Sequence, residues 1–286
     1  MNGEILNPLV IGVLIGGLYA LIALGLSMVF GVMRLINLAH GDLVILGSYL
    51  SYFIWTSLGL DPILSLVLTI PVLFGLGFFI QQFLMKRAFA ISSEAPLIIA
   101  FGIALIIQNA NQIFFSPLSR GISTSYSGQS FFLGLHQFPV YYLMDFIVAL
   151  IVMLALREFL RRTYLGRAIT AASQDSKAAQ LMGINTKTIY GFAFAIAMIS
   201  AAIAGTFLGM TFPFTPLSGT QFLMIAFGVV IIGGLGSLFG TFMAGLILGL
   251  VQTLAGYFLG AASQMLFVYL AILIVLAIRP QGLLGR

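Results

Sequence analysis

The sequence predicts an all-α polytopic membrane protein with about eight to nine transmembrane helices, some broken or re-entrant. Three observations carry this. Hydrophobic residues make up 61% of the 286 and charged residues only 7%, against roughly a quarter charged in soluble domains. Apolar runs long enough to span a bilayer recur from about residue 8 to residue 278. The Lys and Arg residues gather between these runs, and six of the twelve (Arg157, Arg161, Arg162, Arg167, Lys177 and Lys187) share one stretch. A net charge of +5 held in loops is not a nucleic-acid footprint. With no Cys, two His and seven acidic residues, no metal site, cofactor or catalytic cluster is expected. One transmembrane domain accounts for residues 1–286.

The first apolar run starts near Pro8 after a segment holding Glu4 and no Lys or Arg, which predicts a first transmembrane helix and not a cleaved leader. Spans follow at about 8–30, 41–58, 62–84, 95–115, 140–160, 189–212, 221–235, 240–259 and 262–278. The run 221–235 is short, which suggests a discontinuous or re-entrant helix. Lys86 and Arg87 follow the third span, residues 157–187 the fifth, and Arg279 and Arg286 the last. Excess positive charge marks cytoplasmic loops. Even numbers of spans separate these segments, so all three fit one side, with the N-terminus outside and the C-terminus cytoplasmic. Arg34 fits only if 31–40 is a cytoplasmic turn. Residues 117–139, bracketed by Pro117 and Pro139, form the large external loop. Within it Tyr126 to Phe138 forms either a small hairpin on the membrane surface or a plain connector.

Several polar or glycine-rich clusters interrupt the spans. Asn37, His40, Gly41 and Asp42 are either a cytoplasmic turn whose Asp42 caps the next helix or a broken helix lining a path within the membrane. Gln108 and Gln112 share a helical face, with Asn109 and Asn111 beside them, and suit either a vestibule or interhelical hydrogen bonds. Gln252 has the same two readings. Gly233, Gly234, Gly236 and Gly240 predict a second helix break, serving close packing or a gate. Pro213, Pro216 and Gly219 suit an external turn. Leu217-Ser-Gly echoes Leu38-Ala-His-Gly, a possible internal repeat.

The basic loop, about 161–188, holds a short amphipathic helix. Asp175 caps its start, Gly183 fits the left-handed position that ends it, and Ile184 folds back. Ala178, Leu181 and Met182 share one face, and small Ala178 and Ala179 admit a close neighbour. Lipid headgroups are the alternative partner for this segment. No Gly-x-x-x-x-Gly-Lys phosphate loop occurs. No intramembrane acid–base chain stands out beyond Asp42 and Asp145.

Ala178-Ala179-x-x-x-Gly183 resembles the coupling motif of ABC importer permeases. Thr163-Tyr-Leu-Gly166-Arg167-Ala168 upstream, and the segments 16–25, 31–42, 233–240 and 279–285, resemble the branched-chain amino acid (Liv-type) permease family in order along the chain. Urea permeases share these motifs. The resemblance implies a bacterial inner-membrane subunit that is not itself an enzyme. It would move branched-chain or other neutral amino acids inward by ATP-driven alternating access. Its partners would be a second permease subunit, two cytoplasmic ATPase subunits, an external substrate-binding protein and the lipid bilayer, with no nucleic acid. Gly166, Arg167, Asp175, Ala178, Ala179, Leu181, Met182 and Gly183 would couple to the ATPase. Asn37, His40, Gly41, Asp42, Gln108 and Gln112 would line the path, and the glycines at 233, 234, 236 and 240 would form the break or gate. A urea or short-chain amide permease is one alternative; a stand-alone carrier or channel is another.

Overall fold

The computed structural model describes residues 5–279, apart from 93, 125, 127, 134 and 135, together with 281 and 282. Arg286, used above for orientation, lies outside the described residues. The helices are α1 Leu6–Met33, α2 His40–Leu58, α3 Pro62–Phe79, α4 Lys86–Phe89, α5 Ala95–Phe115, α6 Val140–Arg162, α7 Tyr164–Gln174, α8 Ser176–Leu181, α9 Thr186–Thr211, α10 Gly219–Gly233, α11 Leu238–Leu259 and α12 Gln264–Ile278. A π-helical segment, Ile80–Met85, joins α3 to α4. Six described helices are individually long and apolar enough to cross a membrane; α10 is shorter. With α2 and α6 they make nine apolar segments, and the protein is an all-α polytopic membrane protein. The loop after α5 adds one antiparallel hairpin, β1 Ser130–Leu133 with β2 His136–Pro139, in which Phe131 lies opposite Phe138. Tyr126 donates from this loop to Asp61 at 3.3 Å. Burial pushes the Tyr126 hydroxyl up to about 12, so it remains a donor.

Helices α1 and α9 form the buried centre. Their glycines and alanines let neighbours approach backbone to backbone, the usual means of association where lipid is as apolar as the side chains. A Cβ on Gly16 would stand 2.6 Å from the Leu246 Cα, and one on Gly249 would stand 2.2 Å from the Gly12 carbonyl oxygen. These contacts run α1 antiparallel to α11. On the other side α3 runs antiparallel to α9, with Gly77 against Met198. Four buried hydroxyls pin that side. Ser51 bonds Thr206 at 2.6 Å, Ser65 donates to Ser51 at 2.9 Å, and Thr69 lies 3.4 Å from Ser51.

The packing repeats internally. α1 packs on α11 as α9 packs on α3; α2 lies on α9 as α10 lies on α1; α5 flanks α2 as α12 flanks α10. The units α1-α2-α3-α5 and α9-α10-α11-α12 therefore correspond, with α6, α7 and α8 between them. They run in opposite directions: α1 descends from the hairpin end to the basic end, whereas α9 climbs from the basic end. Inverted repeats of this kind are common in transporters.

Each unit contains a re-entrant turn. After Met33 the chain climbs back, and His40 Nε2 reaches the Ile22 carbonyl at 2.8 Å. Ile22 lies near the middle of α1, so α2 starts about 16 Å above the end of α1 at 1.5 Å per residue. The turn at 31–42 is thus a broken segment inside the protein. Asp42 does not cap α2: the N-cap is Ala39, without a side-chain bond, and the Asp42 carboxylate is turned to α5. In the segment 213–219 Pro213 and Leu217 stay exposed and Phe214 pairs with Arg120 of the loop after α5, but Gly219 at its end is buried against Gly41 and Asp42 and does not belong to an external turn. α10 starts there and runs to the basic end.

Candidate translocation path and coupling surface

The two re-entrant turns meet. A Cβ on Gly41 would stand 2.0 Å from the Gly219 carbonyl oxygen, and one on Gly219 would stand 2.1 Å from Asp42 Oδ1. Only hydrogens fit between them. The Asn37 side-chain oxygen accepts from the Ala39 N–H at 3.1 Å, which closes the turn that brings the chain back up. Gln108 on α5 donates to Asp42 Oδ1 at 3.0 Å. The structure thus brings Asn37, His40, Gly41, Asp42 and Gln108 together with Gly219. Gln112 sits one turn further along α5, half-buried, beside buried Asn111.

The starts of α2 and α10 bring their positive dipole ends, with the first-turn N–H groups that a helix leaves without intrahelical partners, to this point from opposite directions. Asn37 Nδ2 and His40 Nδ1 are buried there with no hydrogen-bond partner among the described residues. Such a place can meet carboxylate and ammonium charge inside a membrane. Nothing in the sequence marked Gly219 as part of it beyond the short echo of Gly41.

The glycine cluster after α10 is a tight turn. Gly234 and Gly236 have φ of +92° and +84°, a region that suits glycine alone. Gly233 packs on Gly240, and Gly236 packs on Gly31 at the end of α1. The Ser237 hydroxyl accepts from the Gly240 N–H at 3.1 Å and starts α11.

At the basic end, α7 is a helix the sequence reading did not anticipate. The Thr163 hydroxyl accepts from the Gly166 N–H at 2.9 Å, and Ala168, Ile169 and Ala172 form its buried face. That spacing, with a capping Thr, was the available signal. Gly166 lets α7 fold against the end of α6, where a Cβ would stand 2.2 Å from the Phe159 carbonyl oxygen. Asp175 caps α8 by accepting from the N–H groups of Lys177 and Ala178 at 2.9 and 3.0 Å. Gly183 has φ of +82°, and the Ile184 N–H closes the end on the Ala179 carbonyl at 3.0 Å. Leu181 and Met182 are 89% and 82% exposed, and Ala178 and Arg167 are exposed. Ala179 is buried and faces the protein's own body, not an outside surface as the sequence suggested. A capped helix presenting Leu and Met to the exterior is a surface that calls for a partner.

Residues 9–277 match the family described as the permease component of the branched-chain amino acid transport system. The high-affinity branched-chain amino acid transport permease BraD of Pseudomonas aeruginosa is 32% identical, over 98% of this chain and 96% of BraD. LivH of Escherichia coli K12, a permease protein of the same kind of system, is 32% identical over 96% of this chain and 94% of its own length. LivM of that organism is 25% identical, over 93% of this chain and 68% of LivM. Among solved structures, PsaBC from Streptococcus pneumoniae in complex with Fab aligns with a TM-score of 0.55 at 13% identity, over 98% of this chain and 97% of that chain. That likeness speaks for the fold alone.

Proposed function

Because this chain belongs to the family of permease components of branched-chain amino acid transport systems, we propose that it forms one half of a heterodimeric membrane path and moves branched-chain amino acids inward. It is a multi-pass permease subunit of an ABC importer. LivM, named a permease of a branched-chain system, is itself similar to this chain, and a second subunit of that kind would supply the other half. Two ATPase subunits would dock on α8, and an external binding protein would deliver substrate at the hairpin end. The basic end would face the cytoplasm, which puts the start of α1 outside.

The exposed Leu181 and Met182 on capped α8 carry the coupling reading. ATP-driven closure of the ATPases would shift this helix, α7 and α6 would carry the movement into the bundle, and the two re-entrant turns would open alternately to each side. A change in ATPase state can do this only through contacts that differ between the two states. The site at Asn37, His40, Asp42, Gln108 and Gly219 would pass the amino acid's charged groups, with Gln112 further along the path.

Leu181→Glu combined with Met182→Glu tests this reading. Both side chains are exposed, so the permease is expected to fold and assemble with its sister subunit. Capture of the ATPase and ATP-driven leucine uptake should fall at least tenfold. Full ATPase capture and full uptake would remove α8 as the docking helix.

A further inference from the structure

A second place in the protein has the chemistry of an amino-acid site. A cavity of about 610 Å³ opens at the basic end between the π-helical segment, α4, α8 and the start of α9. Lys86, Arg87 and Lys187 all line it. None of the three is held in a salt bridge among the described residues, and all are exposed. Three like charges around one cavity favour an anion in it. The other wall offers acceptors. Gln81 is buried in the π-helical segment, and its side-chain oxygen has no hydrogen-bond partner among the described residues. Gln180 donates its amide N–H to Thr186 Oγ1 at 2.9 Å, which leaves its carbonyl oxygen to accept. Met33, Phe89 and Tyr190 supply apolar surface, and the Tyr190 hydroxyl is already engaged by the Ala172 carbonyl at 3.3 Å.

Cations, amide oxygens and an apolar wall are the complements of a carboxylate, an ammonium and an aliphatic side chain. We propose that this cavity binds the transported amino acid on the side where it is released, and that occupancy there slows the transport cycle. The inference rests on the amino-acid transport proposed above. Ser176 and Gln180 belong to α8, while Lys86 and Arg87 belong to α4. A ligand bridging them fixes α8 against the bundle, and α8 is the element the ATPases would have to move. π-helical segments often occur at functional sites, and here that segment places Gln81 in the wall. Accumulated product thereby restrains its own import.

The test uses the whole importer in liposomes, with the ATPase subunits facing outward and binding protein and labelled leucine inside. Unlabelled leucine is added outside together with ATP. Release of label and ATP hydrolysis are both expected to slow as outside leucine rises. Isoamylamine, which lacks the carboxylate, and 4-methylpentanoate, which lacks the ammonium, are expected to leave both rates unchanged. Lys187→Gln should transport normally without outside leucine and need at least tenfold more of it for the same slowing. Gln81→Met, which removes the other acceptor from outside α8, should behave likewise. Label release indifferent to outside leucine, or equal slowing in wild type and both variants, would overturn the proposal while leaving the transport function intact. No ATP-driven label release from wild type would overturn the transport reading, and this inference with it.

Discussion

At Gly41 one added carbon decides whether the two halves of the protein can meet. Gly41→Ala places a methyl carbon 2.0 Å from a backbone oxygen that has no flexible side chain to yield. Overpacking of this kind costs about 1–3 kcal/mol. The variant is expected to unfold at lower temperature in detergent, and to lose uptake in proportion to the folded protein lost; a melting curve unchanged from wild type would contradict that contact. Asp42→Asn should be milder, since an amide oxygen still accepts from Gln108 at the observed 3.0 Å. Asp42→Leu leaves Gln108 unpaired and should cost about 1–2 kcal/mol. If the start of α2 also handles the substrate's charge, both changes should lower uptake at least tenfold with assembly intact. These residues were legible as a polar knot because Asn, His, Gly and Asp rarely stand together between apolar runs. Their depth was not legible. It follows from the bond between His40 and Ile22, eighteen positions apart, which no local pattern specifies.

Among the elements, α8 could be read almost to the residue, because caps are local chemistry: a carboxylate before the helix and a left-handed glycine after it. The face of Ala179 could not, since its burial depends on where α7 and α9 place α8. α7 is more instructive. A run of six cations across 157–187 drew attention to charge, while the period of Ala168, Ile169 and Ala172 carried the structure. Among α2, α3 and α9, the hydroxyl cluster offers a direct measurement of interhelical bonding. Thr206→Val keeps the shape and removes the shortest of the Ser51 bonds, so the expected loss is about 0.5–2 kcal/mol, read as a lower melting temperature in detergent. Ser51→Ala should cost more, because it also takes the acceptor from Ser65, and the double variant should cost less than the sum, because both changes break the Ser51–Thr206 bond.

For the whole molecule, the apolar composition and the recurrence of spans made the fold class legible, and nine apolar segments match the expected eight or nine. The inverted repeat was visible in sequence only as Leu38 to Gly41 and Leu217 to Gly219. A repeat held by small residues in contact leaves few side chains to compare. The permease reading carries a prediction at this scale. Liposomes holding this chain alone, without ATPase subunits, are expected to show no leucine uptake above protein-free controls. Uptake by the lone chain would instead indicate a stand-alone carrier.

The packing of α1 against α11 has a further meaning for how the protein is made. α1 leaves the ribosome well before α11, and its glycine face is completed by that helix, more than two hundred residues later in the chain. Until α11 arrives, Gly12 and Gly16 meet only lipid or a temporary neighbour. α9, the other wall of α1, also comes from the second half. The centre of the bundle therefore closes only once α9 and α11 have entered the bilayer, through contacts distant in sequence. A chain ending before Leu238 would be inserted but open along its middle, with the seam between its halves facing the membrane.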